Sequence, residues 1–362
     1  MSDPRSFVQS AISASTRSLT FITTYKCTAA CADCCFECSP DLDSGKLTFE
    51  FMKRVIDEAR QALPSLQVVV FSGGECYMLK DHLFRTIAYA TQKGLKTRTV
   101  TNGYWGKTPA MAERSAAAVH DAGLTEVNIS TGLDHQQWVP AASVINAARA
   151  LTKRAISTVI TIEKDTAEST CLSDAKAHPD VQEMLAERPA YLKIVCNSWM
   201  PFKSDSILRS TEGIPAANGG CKQLFTNLVV TPHQVVSACC GLTFEHIPEM
   251  RLGLFGKAPL ESYLADIAGD FLKIWIHVDG PKEIARKLLG SRRHQAIDES
   301  VHICQACAFL HQDPELRVEL ANRYQEFLPE VMQRFLLSTL VGSIAAGRAA
   351  EADSPLPVQA LA

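Results

Sequence analysis

Three thiols on one short stretch, Cys27, Cys31 and Cys34 in a Cys-x3-Cys-x2-Cys spacing, are the residues of this chain best suited to chemistry. A cubane [4Fe-4S] cluster has four irons, so three protein thiolates leave one iron free to take an exchangeable ligand. A structural zinc site instead closes its shell with four protein ligands, usually as two separated pairs. On spacing alone, a zinc knuckle that recruits Cys35 or Cys38, or a set of thiols packed in a core, stays open.

The chain has 13 cysteines, clustered at 27–38, at 221–240 and at Cys304 and Cys307, with Cys76, Cys171 and Cys196 scattered singly. Its first residues show no basic stretch followed by an apolar run, so a cytoplasmic location is expected. Reducing cytosol disfavours a disulfide framework, which leaves metal or redox chemistry as the leading explanation for so many thiols. A net charge of -3 gives no electrostatic reason to expect nucleic acid or an anionic membrane as partner. The apolar stretch 335–347 is too short and too polar to span a bilayer. With 362 residues, 46% of them hydrophobic, the chain can bury a large core unaided.

The elements that must position the thiols follow from the pattern. Runs at 19–25, 67–71, 97–101, 126–130, 156–162 and 191–195 are rich in Val, Ile, Thr or aromatics. Segments 48–63, 82–93, 109–122 and 140–154 between them carry apolar residues at helical spacing. Six strands alternating with helices predict an α/β fold with a parallel sheet. Three strands end in Ser72-Gly-Gly-Glu-Cys, Asn102-Gly-Tyr-Trp and Thr131-Gly-Leu-Asp. In parallel α/β folds ligands sit at the carboxyl ends of strands, so these segments and the cysteine loop are expected to line one site. After residue 201 the alternation stops. Runs 225–230 and 235–238 predict a β-hairpin flanked by Cys221 and by Cys239-Cys240, followed by helices at 260–276 and 281–289 and a long helix from 314 to about 348.

The cysteine triad after the first strand, Gly73-Gly74-Glu75 after the second and the six βα units together resemble the radical S-adenosylmethionine (SAM) superfamily over residues 19–200. The resemblance implies a partial (β/α)6 TIM-like barrel whose cluster is held by Cys27, Cys31 and Cys34 and binds S-adenosyl-L-methionine through the fourth iron. One electron then cleaves the cofactor to methionine and a 5'-deoxyadenosyl radical that abstracts a substrate hydrogen. Glycines 73 and 74 let the backbone approach the methionine moiety, with Glu75 or a carbonyl accepting from its ammonium group. Asn102 and Ser130 match positions near the cofactor's carboxylate or ribose. Three departures stand out: Asp33 replaces an aromatic before the third cysteine, with Phe36 available to pack on adenine; Cys76 follows Glu75 where proline is common; and Ser130-Thr131-Gly132 replaces Ser-x-Asp, with Asp134 two residues on.

Cys221, Cys239, Cys304 and Cys307 make a four-thiolate set, with Cys240 able to replace Cys239. Their layout resembles the twitch domain, the shorter relative of the SPASM domain, and implies a second, auxiliary [4Fe-4S] cluster; a zinc ribbon has the same ligand count. The expected organisation is an N-terminal segment 1–18, the barrel 19–205, a small α+β twitch/SPASM-like domain 206–312, a helix 313–349 and a disordered tail 350–362. The resemblance implies a peptide or small-molecule substrate and an electron donor such as flavodoxin or ferredoxin. Maturation of a ribosomally made peptide, dehydrogenation of a small-molecule alcohol and a non-catalytic zinc scaffold are the functional alternatives.

Overall fold

The computed structural model describes residues 4–43, 45–164, 169–198, 219–239, 246–290, 292 and 294–352. Cys240, Trp199 and residues 353–362 of the expected tail lie outside them.

Six parallel strands form the frame: β1 Ser18–Ile22, β2 Val68–Ser72, β3 Lys96–Thr101, β4 Glu126–Thr131, β5 Ser157–Lys164 and β6 Leu192–Ser198. All six match expected runs to within three residues at their ends. Among the β-branched and aromatic residues that signalled them, Phe21, Val69, Phe71, Val127 and Ile129 are fully buried. Helices between the strands start at legible caps. The Thr48 hydroxyl accepts from Phe51 N–H at the start of Phe49–Ala62, and Thr108 with Pro109 opens Pro109–Asp121. Phe51, Met52, Val55, Ile56 and Ala59 then pack one face of the first of these into the core, each large side chain contributing about 2 kcal/mol.

The expected hairpin is present as β7 Asn227–Val230 and β8 Val235–Ser237, and β9 Arg251–Leu254 follows it. It extends the main sheet. β7 pairs in parallel with β1, giving the order β6-β5-β4-β3-β2-β1-β7-β8-β9. All four β7 residues are buried, and the Thr20 hydroxyl donates to Asn227 Oδ1 (2.9 Å) across the new seam. β1 is therefore a central strand. The parallel order puts the carboxyl ends of β1 to β6 on one rim.

The expected helix 260–276 is two helices, Leu260–Gly269 and Phe271–Val278, because Asp270 leaves the helical path and its carboxylate accepts from Lys273 N–H. An N-terminal helix, Pro4–Ser15, and two short ones, Cys171–Ala177 and Pro179–Glu187, lie where no element was read from the sequence.

Asp279 ties the carboxyl-terminal helix Pro314–Ala352 to this region. Its side chain is 2% exposed and accepts from Trp275 Nε1 (2.9 Å) and Lys287 Nζ (2.8 Å), while Arg334 pairs with its other oxygen. Burial alone would raise this carboxyl, but the bonds from Lys287, Trp275 and Arg334 outweigh it and hold it below the usual range. Asp279→Ala strands the largely buried Lys287 and is expected to cost about 3 kcal/mol in chemical denaturation at pH 7. Because the folded carboxyl is more acidic than the unfolded one, at about 3.9, its contribution is complete above about pH 5 and is lost as pH falls through 3.9 toward the folded value. The gap between wild type and variant should therefore narrow near pH 3.

Candidate active site

The cysteine loop leaves β1 and is zipped to its neighbours on both sides by main-chain bonds. Thr23 N–H donates to Ser72 O (2.8 Å), Gly74 N–H to Thr24 O (2.7 Å) and Glu75 N–H to Lys26 O (3.0 Å). On the other side Cys27 N–H donates to Ser39 O (3.1 Å) and Leu47 N–H to Thr23 O (2.9 Å). The two glycines make the first contact possible. A Cβ at Gly73 would lie 2.5 Å from Thr24 O, and one at Gly74 would lie 2.2 Å from Lys26 O. Gly73 also has φ +126°, a conformation that favours glycine. Their missing side chains thus face the backbone just before Cys27.

At the strand rim a cavity of about 420 Å³ is lined by Cys27, Cys31, Cys34, Phe36, Gly73, Gly74, Asn102 and Ser130. Cys35, Cys38 and His302 join them. Glu75 does not line it. That side chain is fully buried behind the rim and accepts from Thr101 Oγ1 (2.9 Å), Asn102 N–H (2.9 Å) and Tyr77 N–H (3.1 Å). Burial pushes its carboxyl up to about 7 against those donors. Asn102, so fixed, donates its side-chain amide to Thr28 Oγ1 (3.0 Å) and to Cys27 Sγ (3.6 Å). Trp105, in the segment after β3, is stacked on Tyr77 at 4.9 Å in the core.

The three thiols are unpaired by disulfides. Burial, with the charge of Glu75, pushes Cys27 up to about 12, and burial with the charge of Asp134 raises Cys31. A hydrogen bond from Cys38 lowers Cys34 to about 6, while the same contact and burial raise Cys38. Metal binding to these thiols therefore has to displace protons that burial favours on Cys27 and Cys31. Among the described residues no three His, Cys, Asp or Glu side chains gather closely enough to hold a single metal ion. A multi-iron cluster spaces its thiolates more widely around a larger body, and the three cysteines that line this cavity are a donor set of the type it takes.

The far half of the cavity is polar. Asn128 and Ser130 on β4, Thr161 and Glu163 on β5 and Asn197 on β6 line it, and no Lys or Arg does so among the described residues. His135 Nδ1 and Glu163 Oε1 meet at 2.6 Å, with the two residues 8% and 3% exposed. Burial lowers the imidazole's pKa, but the hydrogen bond and charge of Glu163 outweigh it and leave it raised. Gly132, at φ +146°, makes room for this pair, since a Cβ there would lie 2.2 Å from the Glu163 carboxyl carbon. Sequence reasoning missed Asn128, Thr161, Glu163, Asn197 and His302. The alternation of polar residues at 128 and 130, and at 161 and 163, was the available signal.

The second thiol set does not line this cavity. Cys221 precedes β7 and Cys239 follows β8, so both sit at the base of the hairpin, and the charge of Cys239 adds to burial in raising Cys221. Cys304 and Cys307 occupy one face of the helix Ile303–Gln312, each 8% exposed. His302, which caps that helix by accepting from Cys304 N–H (3.1 Å), also lines the cavity.

Residues 21–135 match a family model described as the Radical SAM superfamily. The chain is 22% identical over 121 residues to YydG of Bacillus subtilis (strain 168), which is named as a peptide biosynthesis protein; the match covers 33% of this chain and 37% of that protein. The chain thus spans little more than a third of the length of that relative. Native anSMEcpe with bound AdoMet and Kp18Cys peptide is similar at TM-score 0.50 and 13% identity, over 88% of this chain and 99% of that one. BtrN in complex with AdoMet and 2-DOIA is similar at TM-score 0.44 and 13% identity, over 72% and 87%. No helix among the described residues is long and apolar enough to cross a membrane.

Proposed function

We propose that this chain, a radical SAM protein by the domain at residues 21–135, is an enzyme that uses a cluster-bound SAM to modify a peptide. The observation that carries this reading is the meeting, in one cavity at the strand rim, of Cys27, Cys31 and Cys34 with Gly73 and Gly74. When bound, the cluster and its cofactor supply a 5'-deoxyadenosyl radical. Cys27, Cys31 and Cys34 would hold that cluster, and Asn102 would fix Cys27 through its amide. Phe36 and Ser130 would wall the cofactor, Gly73 and Gly74 would set the loop height, and Glu75 would hold Asn102 from behind. The absence of Lys and Arg from the described lining suits a sulfonium cation and an uncharged or cationic substrate group, and disfavours an anionic one. Asn128, Thr161 and Asn197 offer amide and hydroxyl partners that suit a peptide main chain. The likeness to YydG supports the peptide over a small-molecule alcohol.

In the same reading residues 206–312 form a twitch/SPASM-like unit in which Cys221, Cys239, Cys304 and Cys307 hold an auxiliary [4Fe-4S] cluster. Four protein thiolates leave no open iron, which suits electron transfer. An electron donor such as flavodoxin or ferredoxin would feed the first cluster.

The test is anaerobic purification of the full chain. Brown protein with about eight irons per chain, whose reduced spectrum changes on adding SAM and which releases 5'-deoxyadenosine with dithionite, supports the enzyme. Colourless protein with stoichiometric zinc would overturn it in favour of a scaffold.

A further inference from the structure

A buried carboxylate lies against the span that joins two of the three thiols. Asp134 is 6% exposed and belongs to the turn after β4. Its Oδ1 accepts from Ala32 N–H (3.2 Å) and its Oδ2 from Asp33 N–H (3.4 Å), across about a hundred residues of sequence. Ala32 and Asp33 are the two residues between Cys31 and Cys34. The neighbouring imidazole of His135 is bound to Glu163 and also feels the charge of Asp134, so one imidazole faces two carboxylates.

Two physical effects follow for anything bound to these thiols. A fixed negative charge in a poorly solvated site opposes the arrival of a further electron nearby. Peptide N–H groups that bond cluster sulfur favour the reduced state, and here the two amides of the inter-cysteine span are turned to the carboxylate instead. Both effects act in the same direction. We propose that Asp134 is a positioning residue that keeps the reduction potential of the cluster on Cys27, Cys31 and Cys34 low, by placing a carboxylate on the two amides between Cys31 and Cys34. This rests on the cluster reading above. A low potential is what an electron needs if it is to be delivered to a sulfonium.

The test is a redox titration of the reconstituted full chain without SAM, followed by electron paramagnetic resonance, on wild type, Asp134→Asn and Asp134→Glu. The asparagine keeps an acceptor for the loop amides and removes the charge. It should be reduced at least tenfold more readily, a positive shift of 59 mV or more for one electron, while the glutamate variant stays at the wild-type potential. An unchanged or more negative midpoint in Asp134→Asn at wild-type iron content overturns the proposal. If that variant cannot hold iron, Asp134→Ser is titrated in its place. Should neither hold iron, the proposal is also overturned, because the carboxylate is then a clamp for the loop and no more. A wild-type chain that binds no cluster sinks the cluster reading itself, a result distinct from all of these.

Discussion

Cys31→Ala is expected to abolish the release of 5'-deoxyadenosine from SAM and dithionite and, with the proposed auxiliary cluster in place, to lower iron from about eight to about four per chain. Cys27→Ala and Cys34→Ala should do the same. The effect is all or none because the remaining thiols cannot replace a missing ligand without rebuilding a loop that is pinned on both sides, by Gly74 and Glu75 from β2 and by Ser39 and Leu47 from its own return. Cys35 and Cys38 also line the cavity, and they give the experiment its discriminating arm. In a four-thiol zinc knuckle one of them would be as damaging to remove as Cys31. In the cluster reading, Cys35→Ala retains both iron and cofactor cleavage, and Cys38→Ala removes only the thiol contact with Cys34 while keeping the Cys38 main-chain N–H bond to the Cys34 sulfur at 3.4 Å. Iron and zinc analysis of the purified variants, with chromatographic detection of 5'-deoxyadenosine, checks each outcome. An iron content in Cys31→Ala equal to that of wild type would refute the assignment of the loop.

What the sequence reveals about this site and what it hides divide along a physical line. Local signals were sufficient for the parallel frame: the Val-rich run at 67–71 and the alternating run at 126–130 are strands that bury Val69, Phe71, Val127 and Ile129 on one face. The rim followed from topology, since parallel strands end on one side. Long-range pairing was not legible. Nothing in 227–230 says that this strand pairs with β1 in parallel, because a fully buried run carries no preference for its neighbour. The split at Asp270 was a local competition, in which a carboxylate that can cap the next turn interrupts an otherwise apolar helical run. Glu75 shows the converse. Its place in the motif suggests that its carboxylate or a backbone carbonyl accepts from the cofactor; in the fold the carboxylate receives the amide of Asn102 and the hydroxyl of Thr101, so the side chain reaches the site through Asn102. Glu163 and His135, 28 residues apart, meet because β4 and β5 are neighbours, and Gly132, just before His135, gave a signal that could be interpreted only once the carboxylate filling its missing side chain was seen.

The same reasoning makes Gly74 the most sensitive non-ligand position in the site. An alanine there would place its Cβ 2.2 Å from Lys26 O, 2.6 Å from Lys26 C and 2.9 Å from Tyr25 C. These are backbone atoms, so no rotamer change relieves the clash. Moving the segment away would break the Gly74 N–H bond to Thr24 O and the Glu75 N–H bond to Lys26 O, and would shift Cys27, the next residue after Lys26. Gly74→Ala is therefore expected to cost about 3 kcal/mol, the upper range for overpacking a well-packed interior, and to lose iron from the first site even where the chain still folds. Gly269→Ala is the matched control: a Cβ there meets nothing within 4 Å, and the residue ends a helix, so stability should be unchanged or slightly raised. Thermal denaturation and iron content of the two variants measure both effects. Were the glycine present only to let SAM approach, Gly74→Ala would fold and hold iron normally and fail only in SAM binding; that pattern would show that the contact with Lys26 does not govern the loop.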